Sequence, residues 1–145
     1  MEKLLISACL LGEPCRYDAA SRPLAAEKLA ALRERYELIP VCPEQAGGLP
    51  TPRIPSERRG ERVVNRAGED VTAQFRRGAA EALRLAEETG CARALFKERS
   101  PSCGSGEIYD GSFTGTLIPG DGIAAEALKA KGVAVIGESV FEFER

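Results

Sequence analysis

The sequence predicts an α/β fold: one compact domain built on a mainly parallel, Rossmann-like sheet flanked by helices. Three observations point there. Short apolar runs alternate with helical patterns from end to end, the signature of β-α-β units. The 145 residues suit one domain with its own core and show no repeat or low-complexity tract, so residues 1–145 are expected to form a single unit. The composition, 43% hydrophobic and 29% charged, is that of an ordinary globular protein.

The elements follow in order. Lys3 to Ala8 reads as a first strand, short, apolar and bounded, and therefore buried. Residues 9–18 contain Gly12 and Pro14 and read as a loop. A helix is expected next, with Ser21 as its cap, Pro23 in its first turn, and Ala25, Leu29, Leu32 and Tyr36 on one face. Glu37 to Val41 reads as the second strand and ends in Cys42-Pro43-Glu44. Residues 45–69 are irregular and proline-rich, with a polar hairpin expected within Glu57 to Arg66; a segment this long reads as an active-site loop.

Asp70 is the expected cap of the clearest helix, Val71 to Thr89, whose buried stripe is Val71, Phe75, Ala79, Ala82 and Ala86, with Gly90 as its stop. Cys91 to Phe96 reads as the third strand. A hairpin is expected around Asp110-Gly111, a helix over Gly122 to Lys131 capped by Asp121, and a last strand over Val133 to Ile136. In such sheets ligands bind beyond the carboxyl ends of the strands.

Charge and composition exclude several classes. A net charge of -2 gives no field for nucleic acid or an anionic membrane, so intact nucleic acid is not an expected partner. No apolar run approaches the ~18 residues of a membrane span. The N-terminus runs straight into a strand without a signal-peptide pattern, which reads as cytoplasmic. There is no histidine, so acid–base work falls to carboxylates, hydroxyls, lysine or thiols.

Five cysteines are an odd count and, in the cytosol, not a disulfide framework. Cys91 sits in no motif and reads as core. Cys9, Cys42 and Cys103 fall at or just past expected strand ends, flanked by Gly12, Pro43, Pro101 and Gly104, which suit a stiff, closely approached loop. Cys9 and Cys15 do not have the spacing of a zinc knuckle. Glu44 lies two residues from Cys42, and Lys97, Glu98 and Arg99 approach Cys103. Such neighbours tune proton affinity and favour thiolates, though surface ion pairs look the same in sequence. On these residues alone, a multi-thiolate site and a set of buried thiols both stand.

Three motifs in order go further: Cys9-Leu10-Leu11-Gly12…Cys15-Arg16-Tyr17-Asp18, Cys42-Pro43-Glu44…Gly47-Gly48-Leu49…Pro52-Arg53, and Phe96-Lys97-Glu98-Arg99-Ser100-Pro101-Ser102-Cys103-Gly104. Together they resemble the DUF523 family, which includes the thiouracil desulfidases, over essentially the whole chain. One departure is Ala19, where the family usually has glycine.

The resemblance implies a compact α/β fold and a [4Fe-4S] cluster on Cys9, Cys42 and Cys103, with Cys15 as the rival ligand. It implies non-redox removal of sulfur from a small thiolated base such as 2-thiouracil. Glu44 would activate water, Ser100 would bind the ring or assist proton transfer, and Arg53, Lys97 and Arg99 would orient substrate or steady the cluster. The alternatives are a cysteine-rich sulfur- or metal-binding module without desulfidase activity, and a thiol-rich structural domain.

Overall fold

The computed structural model describes residues 1–141. Four parallel strands, β1 (Glu2–Ser7), β2 (Tyr36–Val41), β5 (Arg93–Phe96) and β8 (Ala134–Gly137), form one sheet in the order β2-β1-β5-β8. Four helices are α1 (Ala26–Arg35), the short α2 (Pro43–Ala46), α3 (Thr72–Thr89) and α4 (Ile123–Ala130). Two small hairpins stand outside the sheet: β3 (Ser56–Arg59) with β4 (Arg62–Asn65), and β6 (Glu107–Tyr109) with β7 (Leu117–Pro119). No helix among the described residues is long and apolar enough to cross a membrane.

Strand periodicity divides the core. Leu4, Ile6 and Leu95 point to the α1 side and pack with Leu32 and Tyr36. Leu5, Ala94, Phe96 and Val135 point to the other face and pack with α3 and α4 through Phe75, Ala79, Ala82 and Leu128. Leu4, Leu5 and Ile6 are all fully buried, as continuous apolar strands of a doubly covered parallel sheet must be. Phe75 contributes most per residue on α3, and its removal would cost about 3–5 kcal/mol. Cys91 lies in this core, beside the Thr89 hydroxyl.

The winding reverses between β1 and β5. From β1 the chain moves outward to β2, and from β5 it moves to the opposite edge, β8. The carboxyl ends of β1 and β5 therefore border the crevice where doubly wound folds take ligands. Lys97 N–H donates to Ser7 Oγ at 2.8 Å and pins the two ends together.

Several boundaries differ from the sequence reading, each for a tertiary reason. Ser21 caps nothing: Arg22 N–H and Leu24 N–H bond to the Cys9 and Leu10 carbonyls, so the helix cannot begin until Ala26. Tyr36 accordingly belongs to β2. Residues 8–11 form a 3-10 turn rather than open loop. Asp121 is not the cap of α4. The amides of Ile123, Ala124 and Ala125 bond instead to the Pro101 and Ser102 carbonyls, while the Asp121 carboxylate takes Gly106 N–H and Lys129 Nζ. Asp70 does accept Thr72 N–H, at 2.8 Å, but from two residues ahead of Thr72, where α3 begins, so that Val71 holds the cap position. Asp110-Gly111 makes no two-residue turn, because Gly111 N–H and Phe113 N–H are both drawn to Glu57 Oε1.

Candidate active site

Three strand ends deliver three thiols to one place. Cys9 rides on the 3-10 turn after β1, Cys42 follows β2 at the head of α2, and Cys103 lies in the loop after β5. Cys15 returns from the first loop to join them. All four are free, and all four line a single cavity of about 620 Å³. Cys15 hydrogen-bonds through its side chain with Cys42 and Cys9, and Cys42 Sγ lies 3.7 Å from the Cys15 carbonyl oxygen.

Burial pushes Cys103 up to about 12. Cys15 is pushed up to about 11: its bond with Cys42 lowers it, but its bond with Cys9, burial and the Cys9 charge raise it more. Cys42 is also raised, by its bond with Cys15 and then by burial. The chain alone therefore holds these three protonated at neutral pH, and a bound metal centre would supply the positive charge that ionises them.

Among the described residues no three acidic or thiol side chains converge on one point to hold a single metal ion. An iron–sulfur cluster asks for something else, soft thiolates set around a polynuclear body with each ligand on its own iron. Four thiols around one cavity fit that requirement.

Glu44 sits in the first turn of α2, and both of its oxygens are engaged. Arg53 Nε reaches Oε1 at 3.0 Å, and Ser102 Oγ donates to Oε2 at 2.9 Å. The Arg53 and Glu44 side chains are only 6% and 15% exposed. Arg53 also donates to the Cys15 carbonyl, the Pro50 carbonyl and Thr51 Oγ1, tying the first loop to α2. Ser100 Oγ accepts Ser102 N–H and Cys103 N–H at 3.1 and 3.0 Å, which folds the motif loop around it.

The cations named from sequence separate by partner. Arg53 holds Glu44. Lys97 pairs with Glu138 at 2.7 Å and fastens the motif loop to the turn after β8. Arg99 adopts φ +67, is half exposed, and pairs with Glu107 at 3.4 Å on the cavity rim. Sequence reasoning gave Ser102 no role, although it stands inside the longest motif. It also missed the outer wall, where the Arg66 guanidinium lies over the Phe113 ring at 5.5 Å and Glu57 fixes the Phe113 backbone. No local signal joins those residues, which lie about fifty apart in sequence.

The fold and the site together define a doubly wound α/β protein with a cluster of thiols at its switch point, beside a partly buried carboxylate and two serine hydroxyls. Comparison with known proteins narrows this. Residues 4–139 match the family model described as 2-thiouracil desulfurase, and the chain belongs to that family. The Bacillus subtilis (strain 168) protein YbbK is 40% identical over 146 residues, covering 94% of this chain and 95% of its own. The solved structure of the [4Fe-4S]-dependent thiouracil desulfidase TudS (DUF523Vcz) is 50% identical with a TM-score of 0.92, covering 96% of this chain and 92% of that one.

Proposed function

We propose that this protein is a [4Fe-4S]-dependent desulfidase that removes sulfur from thiolated nucleobases such as 2-thiouracil. The observation that carries the reading is the gathering of Cys9, Cys15, Cys42 and Cys103 at one cavity beside Glu44 and Ser100, in a chain 50% identical to TudS. Cys9, Cys42 and Cys103 hold the cluster in this proposal, one from each strand end. Cys15 is the fourth thiol, whose carbonyl Arg53 already fixes. Cys9, Cys42 and Cys103 would hold the cluster as thiolates, and it would supply a soft Lewis acid for a thiocarbonyl sulfur.

The chain's own groups do the rest. The overall change is C=S plus water to C=O plus hydrogen sulfide, with no electrons exchanged. Glu44, its Oε1 fixed by Arg53, accepts a proton from the attacking water at its carboxylate. Ser100 lies beside the motif cysteine and conveys a proton on the substrate side. The substrate in this reading is a small molecule, since a net charge of -2 does not favour a phosphate backbone.

Anaerobic reconstitution tests this. About four irons and four sulfides per chain and sulfide release from 2-thiouracil are expected, with iron lost when Cys9, Cys42 or Cys103 becomes Ser. Iron uptake without sulfide release would leave a metal-binding module. No iron uptake at all would remove the proposal.

A further inference from the structure

Two hydroxyls of the motif loop and the Glu44 carboxylate of α2 stand in a row whose hydrogen-bond directions are fixed. Ser100 Oγ and Ser102 Oγ lie 2.9 Å apart, and Ser102 Oγ lies 2.9 Å from Glu44 Oε2. Among the described residues, Ser100 and Glu44 share no direct hydrogen bond; Ser102 is the one link between them. Ser102 is 2% exposed, so water does not compete for its hydroxyl.

We infer that Ser102 is a positioning residue that couples Glu44 to Ser100, by an ordered chain running from the Ser100 hydroxyl to the Ser102 hydroxyl to the Glu44 carboxylate. The order follows from counting donors and acceptors. Ser100 Oγ has two lone pairs, and both are taken by the N–H groups of Ser102 and Cys103. Its only remaining act is to donate, and the neighbour within reach is Ser102 Oγ. Ser102 has one proton. A carboxylate oxygen at 2.9 Å takes it in preference to Cys103 Sγ at 3.8 Å. Every hydrogen in the row therefore points toward Glu44.

Two consequences follow within the desulfidase reading, on which the catalytic half of this inference rests. Ser100 has no spare lone pair for a substrate N–H while the chain is intact, so it does not anchor the ring, and a proton leaving its hydroxyl moves along the row toward Glu44. Glu44 and Ser100 also respond to each other: charge taken up at Glu44 is felt at Ser100 through Ser102. Backbone packing keeps the row in register. A side chain at position 122 would press on the Ser102 carbonyl, and one at position 104 on the Ser100 carbonyl, so glycine at both lets α4 and the loop close around it.

The test has an arm that does not depend on turnover. In the metal-free full chain, urea unfolding is measured for Ser100→Ala, Glu44→Gln and the double variant, first with Ser102 present and then with Ser102→Ala. Coupling of about fivefold in the unfolding constant, that of roughly one hydrogen bond, is expected with Ser102 present and none without it. In the reconstituted enzyme, Ser102→Ala is expected to lower kcat about tenfold, with KM and iron content unchanged, and Ser102→Thr to restore it. Should the alanine chain not fold, Ser102→Cys keeps the volume with only a weak donor, and the same fall in kcat is expected. Additive effects with Ser102 present, or full kcat in Ser102→Ala at normal iron content, would overturn the inference. A wild-type enzyme that releases no sulfide would count against the function alone, leaving the unfolding cycle to decide the coupling.

Discussion

Arg53 Nε stands 3.0 Å from Glu44 Oε1, and the guanidinium spends its other nitrogens on the Cys15 and Pro50 carbonyls and Thr51 Oγ1. One side chain thus fixes the carboxylate and the loop bearing the fourth thiol. Removing a partner from a partly buried pair leaves a poorly compensated charge, which costs about 1–3 kcal/mol. Arg53→Ala is expected to lower the urea midpoint accordingly and to reduce kcat at least tenfold. Arg53→Lys recovers charge but not the four-acceptor fork, so it restores stability only in part. An Arg53→Ala enzyme with normal turnover would show that Glu44 needs no such support.

Gly78 on α3 and Gly47 at the end of α2 meet backbone to backbone. A methyl group on Gly78 would land on the Pro43 carbonyl, and one on Gly47 on the Gln74 carbonyl. Alanine is the better helix former by about 1 kcal/mol, so an open site would gain from Gly78→Ala. Here overlap wins. The variant is expected to lose about 1–3 kcal/mol and to shift α2, which carries Glu44 and follows Cys42, with reduced iron retention after reconstitution. A stabilised Gly78→Ala protein with full iron would contradict the close packing.

Ala19 is one of the few residues other than glycine with positive φ, at +59. A left-handed alanine carries a steric cost of roughly 1–2 kcal/mol that glycine avoids. Glycine gives back up to about 1 kcal/mol through the greater freedom of the unfolded chain. Ala19→Gly is therefore expected to stabilise by about 0.5 kcal/mol, read as a small rise in urea midpoint with kcat unchanged. A lower midpoint would mean that the turn gains nothing from glycine.

Asp70 is held at about 2, below its ordinary 3.8, by the Thr72 hydroxyl and amide and then by Arg62. A depressed carboxylate contributes stability that is complete above the unfolded-state value near 4 and is lost as pH falls through the folded-state value near 2. The group is exposed, so the contribution is small and screened by salt. The stability difference between wild type and Asp70→Asn should be constant above pH 5 and shrink between about pH 4 and pH 2. A difference that stays flat through that window would rule out the helix-start role.

What was legible in the sequence is what is local. Alternating strands and helices pointed to the parallel sheet, because β1 is a short, bounded apolar run and α3 carries its own periodicity in buried residues such as Phe75 and Ala79. The stretch Phe96 to Gly104 announced a site because strand end, proline, serines and thiol are contiguous. Only the tertiary structure decided the partners. Ser102 and Glu44 lie 58 residues apart, and Glu57 and Phe113 lie 56 apart. No spacing rule joins such pairs, since the strand order β2-β1-β5-β8 sets which loops meet. The caps failed for the same reason. Ser21 and Asp121 are sound local candidates, but the Cys9 and Leu10 carbonyls hold the segment before α1, and the Pro101 and Ser102 carbonyls satisfy the first amides of α4. A distant backbone acceptor already in place outcompetes a nearby side chain that must give up entropy to reach.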